Sequence, residues 1–492
     1  MTKYNIARCM STQHPDNVQA PFFSDNIVME GDDEIKEAFY SFSNLNIKEQ
    51  LWDCEGKEVD NFVIKKLLTR YSSFFRENHL GKDVFMLLRV PNPEVEKNEA
   101  KILFEVLESI PRSFDISNAI YHDDVAPLFE VSIPMVSSSK SLIRISEYYK
   151  KYVSGKQNIS LTNGDIKISE WIGRFCPSKI RVMPLFETKS AMLSCDRITE
   201  EYINSQRPEG YQRVWLARSD PALNYGSLSA TLIIKIALQR IHKLENKLSL
   251  DIPVMIGAGS APFRGNLKPT NVANILKEFP SIQTFTIQSA FKYDYDSNVV
   301  TKAIGQFNNS KRDVPFSVDE EALLEIIEKT SVRYQREIKD LAPMINQISL
   351  HVPSRRKRKL HIGLFGYSRK TADVHLPRAI KFTASLYSLG LPPEILGLGA
   401  LDDRDIAIIY RAYPTYSEDL ADSLKYLNAD NLKYFSREVS ESVKRALNIS
   451  GIPTDKEHNN LTSDIMEKFR KGKEETIRED IVKAGFIRKF LG

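Results

Sequence analysis

Short runs of consecutive apolar, β-favouring residues, each followed by a stretch of helical periodicity, recur along most of this chain. The runs are Gln50–Cys54, Val84–Val90, Phe129–Val136, Ile180–Phe186, Arg213–Arg218, Val254–Gly257, Thr284–Gln288 and Leu360–Phe365. Strands that alternate apolar and polar residues have one wet face. Near-continuous apolar strands are buried on both faces, as in a parallel sheet covered by helices. Helical segments fall between the runs. Glu94–Ile110 places Leu103, Val106, Leu107 and Ile110 on one face, Asp319–Ile338 does the same with Leu323, Ile326, Ile327 and Tyr334, and Leu228–Leu248 is rich in helix formers. Alternating strands and helices predict an α/β fold, and a count near eight favours a (β/α)8 barrel over an open sheet. From about Leu401 the pattern turns helical, with Tyr416–Leu427 and Leu461–Phe490 as its main segments. The expectation is a single barrel domain from about residue 48 to about 400, with a helical extension over 401–492 packed on it.

Composition narrows the function classes. Lys and Arg number 68 against 64 Asp and Glu, a net charge of +4 over 492 residues. That excess is too small for a nucleic-acid binder, although a locally basic cleft for an anion is compatible with it. No apolar run approaches the roughly 20 residues that span a bilayer. The first residues carry no apolar core of the signal-peptide kind, and a cytoplasmic protein is expected. Cys9, Cys54, Cys176 and Cys195 form no C-x-x-C pair, so zinc and dithiol chemistry are disfavoured. They read as reduced, mostly buried thiols, with a catalytic Cys9 as the lesser reading.

In a barrel of this kind, active-site residues sit at the C-terminal ends of strands. Those ends carry Arg89, Glu187-Thr188, Ser219-Asp220, the loop 258–265 with Arg264, then Phe291-Lys292 and Ser368-Arg369-Lys370. Carboxylates with spare coordination positions suit a hard cation such as Mg²⁺ or Mn²⁺, and arginines suit phosphate or carboxylate. Singly, a strand-end acid is more often a helix cap or an ion-pair partner. Together these groups read as a metal site beside an anionic, phosphorylated substrate. In Ser11-Thr12-Gln13-His14-Pro15-Asp16-Asn17, the proline holds His14 extended. An imidazole there can carry a proton near neutral pH, although by spacing alone a turn histidine is the commoner case. The basic run 355–359 reads mainly as a solvated loop, with a contribution to the site's positive potential as the alternative. Trp52 with Asp53 and Glu55 is evenly divided between a core tryptophan beside surface acids and a site role. Gly257-Ala258-Gly259 does not meet dinucleotide-loop spacing, because Pro262 stands in the last glycine's place.

Residues 8–17 (RCMSTQHPDN), 50–60 (QLWDCEGKEVD), 183–188 (MPLFET) and 360–369 (LHIGLFGYSR) together resemble phosphoenolpyruvate carboxylases of the short, archaeal type. The resemblance implies carboxylation of phosphoenolpyruvate by bicarbonate to oxaloacetate and phosphate, through carboxyphosphate and an enolate. It implies Mg²⁺ or Mn²⁺ on Glu187 and Asp220, proton transfer at His14, and a bicarbonate loop ending in Arg264-Gly265. Arg89 and Arg378 match the arginines that bind substrate phosphate, and a homotetramer is implied. Two departures stand out. Ala258 occupies the place of a second loop arginine in the long-chain form, and Pro221-Ala222-Leu223-Asn224 lacks its lysine. Lys292, Arg369 and Lys370 are the candidate replacements. The competing readings are another metal-dependent barrel enzyme acting on phosphoenolpyruvate or a keto acid, which would not need His14, and a barrel without activity retained as a scaffold.

Overall fold

The computed structural model describes residues 5–55, 60–97, 100–357, 369–371, 374–451, 454–473 and 475–492, with only the backbone for 369–371. Eight parallel strands close into a barrel: β1 Cys9–Ser11, β2 Glu49–Asp53, β3 Phe85–Arg89, β4 Glu130–Ile133, β5 Arg181–Phe186, β6 Val214–Ala217, β7 Val254–Gly257 and β8 Ile282–Ile287. Seven of the expected runs hold these strands, give or take a few residues at the ends. The eighth strand is a correction. Cys9–Ser11 pairs with β2 on one side and β8 on the other, so the barrel begins at residue 9 rather than near 48. Leu360–Phe365 lies outside the described residues, and the barrel closes without it. A three-residue strand leaves almost no periodicity to read.

Two helices also differ from expectation. The first spans Ile102–Tyr121 instead of Glu94–Ile110, because Asn92 draws the preceding backbone into a turn, accepting from Val95 N and Glu96 N at its carbonyl. Its predicted apolar face is nonetheless buried. The second runs Glu320–His351, continuing past residue 338 and through Pro343, and starts from Asp319, whose side chain accepts from Ala322 N.

Inside the barrel, at the N-terminal ends of β2, β4 and β6, Arg213 donates to Glu49 Oε1 and Oε2 (2.7 and 2.9 Å) and to Glu130 Oε2 (2.8 Å). Alternate strands supply one layer of such an interior, and here that layer is ionic. All three side chains are buried.

The C-terminal helices do more than cover the barrel. Ile465, Met466, Ile477, Ile481 and Leu491 form an apolar cluster with Ile348, Val352 and Ala384, and that cluster takes in Val18 from the segment after β1. Leu491 N also donates to Asp16 O at 2.7 Å. The extension thus fixes the stretch that carries His14.

Candidate functional site

A cavity of about 450 Å3 opens at the C-terminal end of the barrel. Seven of the eight strands deliver a residue to it: His14 after β1, Glu55 after β2, Arg89 from β3, Glu187 after β5, Arg218, Ser219 and Asp220 after β6, Arg264 after β7, and Gln288 after β8. Arg355, Arg356, Arg378 and Lys381 complete the wall from segments that follow the barrel. The cavity is strongly cationic although the whole chain is nearly neutral, which concentrates anions where the acids stand.

The segment 12–19 is held over the cavity from both sides. Thr12 N donates to Ile287 O (2.9 Å), and the His14 carbonyl accepts from Ser289 N (3.2 Å). The His14 Nδ1 pairs with Thr12 Oγ1 at 3.0 Å, which fixes the ring. Asp16 is buried. Its Oδ1 accepts from Ala290 N (2.7 Å), and its Oδ2 from Ser260 N (3.3 Å) and Arg264 Nη1 (3.2 Å). Burial pushes the Asp16 carboxyl up, against the opposing pull of Arg264. Further along, Asp294 accepts from both Val18 N (2.7 Å) and Gln19 N (2.9 Å), and Arg355 Nε donates to Val18 O (3.0 Å).

Burial raises the Asp294 carboxyl to about 7, opposed by those two N–H bonds. A carboxyl whose folded pKa lies above its unfolded one binds more protons when folded, so its contribution to stability falls as pH rises from roughly 4 to 7. Asp294→Asn removes that titration. The variant's melting temperature relative to the parent chain is expected to climb between pH 4.5 and pH 8 in thermal melts. A pH-independent difference would remove the assignment.

Glu187 and Asp220 stand at the ends of neighbouring strands, with Phe186 beside Leu216 in the register. The Glu187 carboxylate accepts from Met135 N at 2.6 Å, and Met135 sits at a φ of 53°, a left-handed conformation that turns its N–H toward Glu187. Asp220 opens the short helix Ser219–Tyr225 and is half-buried. Among the described residues no group of three or more His, Cys, Asp or Glu could hold a metal. A Mg²⁺ ion needs no such cage, since one or two carboxylates with waters and substrate oxygens satisfy it. The two acids fit that pattern.

The predicted basic residues divide. Arg89 lines the cavity and is clamped by Asp53 from β2, Nε to Oδ1 at 3.1 Å and Nη2 to Oδ2 at 2.8 Å. Arg264 is fully buried and meets Asp16, Gln288 Oε1 (2.6 Å), Ser219 Oγ (3.2 Å) and the Gly492 carbonyl (2.9 Å). Arg378 lines the cavity and is exposed. Of Arg369 and Lys370 only the backbone is described, in a two-stranded pairing of Arg369–Thr371 with Val374–Leu376. Lys292 is a correction. It is absent from this cavity, its Nζ being sealed beneath β1 against Glu37 Oε1 (2.9 Å), Ser11 Oγ (2.9 Å) and Thr12 O (3.0 Å). Its position after β8 carries it back under β1, where it anchors the strand that leads to His14.

Arg218 was not among the expected site residues, and Arg355 and Arg356 line the cavity although their run was read mainly as a solvated loop, with a part in the site's potential only as the alternative. The basic run is not simply solvated: Arg356 is buried, bonded to Glu34 (2.8 Å) and Glu37 (2.7 Å). Arg218 had a legible signal, because it stands at a strand end directly before Ser219-Asp220.

Comparison with known proteins agrees with this geometry. A family profile described as phosphoenolpyruvate carboxylase matches residues 6–492. The chain is 48% identical to a phosphoenolpyruvate carboxylase of Methanospirillum hungatei over 99% of its own length and all of that protein. It is 48% identical to one of Methanothermobacter thermautotrophicus and 47% identical to one of Pyrococcus horikoshii, again over 99% of this chain and the whole of each relative. With this barrel, these strand-end groups and matches along nearly its full length, the chain belongs to the phosphoenolpyruvate carboxylase family.

Proposed function

We propose that the chain carboxylates phosphoenolpyruvate with bicarbonate, giving oxaloacetate and phosphate, in the cavity at the C-terminal end of its barrel. The observation that carries this reading is the convergence of His14, two acids on adjacent strands and a ring of arginines in one cavity, within a chain of this family. Bicarbonate oxygen attacks the phosphoryl group, giving carboxyphosphate and the enolate of pyruvate. Carboxyphosphate loses its proton and breaks into CO2 and phosphate, and the enolate carbon attacks CO2. His14 takes that proton. The Nδ1 bond to Thr12 Oγ1 holds the ring in place for that transfer. Arg89 and Arg378 hold the phosphate, and Arg264 holds the bicarbonate. The buried clamps on Arg89 and Arg264 keep both guanidinium planes in place before substrate arrives, so little ordering is left for binding. Glu187 and Asp220 would hold a Mg²⁺ or Mn²⁺ ion, which supplies charge stabilisation for phosphate and enolate oxygens when bound.

The deciding assay supplies phosphoenolpyruvate, Mg²⁺ and bicarbonate and couples oxaloacetate to malate dehydrogenase and NADH. Absence of a bicarbonate-dependent signal from folded protein would sink the proposal.

We also propose that the chain assembles as a cytoplasmic homotetramer. No described helix is long and apolar enough to cross a membrane. The excursion between β4 and β5 exposes Tyr152, Leu161, Trp171 and Ile172, each more than half accessible, and large exposed apolar groups of this density mark contact surfaces. Light scattering after gel filtration is expected to give the mass of four 56.3 kDa chains, and Trp171→Ser is expected to lower it. A monomer mass for the unaltered chain would overturn the assembly.

A further inference from the structure

Three arginines around the cavity have a carboxylate partner: Arg89 has Asp53, Arg264 has Asp16, and Arg356 has Glu34 and Glu37. The buried Arg355 donates to the Val18 carbonyl and faces Asp294 through space. Arg218 has neither a carboxylate partner nor an acid that keeps its full charge beside it. Its side chain is 3% exposed, it lines the cavity, and no described carboxylate lies within ion-pair distance of it. Its partners are neutral: Nη1 donates to Phe263 O (3.3 Å) and Nη2 to Ser227 Oγ (2.9 Å). Glu278, Glu394 and Asp419 act on it only through space. Burial raises all three, Glu278 well above the usual carboxylate range and Glu394 to about 7, which weakens them as counter-charges. A guanidinium kept out of water without an anion is costly, and proteins keep such a group where a ligand supplies the missing charge.

We infer that Arg218 is an anion-binding residue of the carboxylation site and that the anion it takes is bicarbonate. The inference rests on the cavity being the carboxylase site. Arg218 packs against the turn that ends in Gly265: a Cβ on Gly265 would come within 3.4 Å of Arg218 Cγ and 2.6 Å of Ala258 Cβ. Arg218 therefore borders Ala258, the position where the loop has no second arginine. Gly265 also has a φ of 123°, so the loop passes this close only because that residue has no side chain. Of five guanidinium N–H groups, two are used by Phe263 O and Ser227 Oγ. The remaining three suffice for a two-point bond to a planar oxyanion. Its depth suits a small anion, whereas Arg378, exposed at the rim, suits the larger phosphate.

The test is steady-state kinetics of Arg218→Gln and Arg218→Lys in the coupled assay, with thermal melts of both. The expected result is a bicarbonate KM raised roughly 10- to 100-fold in Arg218→Gln, the range set by a charge-assisted bond, with the phosphoenolpyruvate KM within about twofold. Arg218→Lys should fall between, because an ammonium keeps the charge and loses the two-point geometry. It also keeps the test decisive should the glutamine variant fail to fold. Unchanged bicarbonate KM in a folded variant overturns the inference, and so does an equal or larger rise in the phosphoenolpyruvate KM, which would assign Arg218 to that substrate. Oxaloacetate formation by the unaltered chain in the same assay tests the reading of the cavity. The ratio of variant to parent bicarbonate KM tests Arg218 alone.

Discussion

Replacing His14 with asparagine is expected to lower oxaloacetate formation by about 10²- to 10⁴-fold, the usual worth of a positioned proton carrier, while some pyruvate release survives. Asparagine can keep a hydrogen bond to Thr12 Oγ1, where the ring now bonds at 3.0 Å. It leaves the Asp16, Ser260 and Ala290 contacts that hold the segment untouched. What it removes is a group that accepts a proton near neutral pH. Attack on the phosphoryl group does not need that acceptor, so the enolate still forms and water protonates it. The measurement pairs the malate dehydrogenase assay with lactate dehydrogenase for pyruvate, on protein shown folded by circular dichroism. Full oxaloacetate activity would take His14 out of the mechanism.

The second large effect is on stability. Arg213→Met is expected to cost about 3–5 kcal/mol, because Glu49 and Glu130 are left buried without their cation. The Arg213 guanidinium reaches both acids at 2.7–2.9 Å, and Arg181, the other cation acting on Glu130, does so only through space while its Nη1 donates to the Tyr211 carbonyl. The triple change Glu49→Leu, Arg213→Met and Glu130→Leu should recover most of the loss, since a filled apolar layer often matches a buried ionic one. Urea denaturation of the three proteins separates the two effects. A single variant as stable as the parent would show that the acids find other partners or take up protons at little cost.

Much of this architecture was written in local pattern. Strands such as Arg181–Phe186 and Val254–Gly257 are buried on both faces, and their apolar runs announce it. That Glu187, Asp220 and Arg89 line the cavity was legible for a related reason, because a polar residue at or just past the end of an apolar run is conspicuous, whereas Arg264 was picked out from the loop that follows Val254–Gly257. What escaped was decided by distance in sequence. β1 is three residues long and becomes a strand only because β2 and β8 supply its partners. Lys292 has the composition of a substrate ligand, and only the return of the chain beneath β1 shows that its partner is Glu37. Arg356 lay within a run of like charges, yet Glu34 and Glu37, more than three hundred residues earlier, draw it inside.

The seam between β1 and β8 also sets a schedule. β1 meets β2 across some forty positions, Met10 opposite Glu49, but meets β8 across more than two hundred and seventy, Cys9 opposite Phe285. Closure of the barrel must therefore wait until β8 has left the ribosome, and contacts of such high sequence separation form late. Until then the edges of β1 and β8 stand unpaired, open to strands of other chains. His14, an early residue in synthesis, reaches its working position among the last.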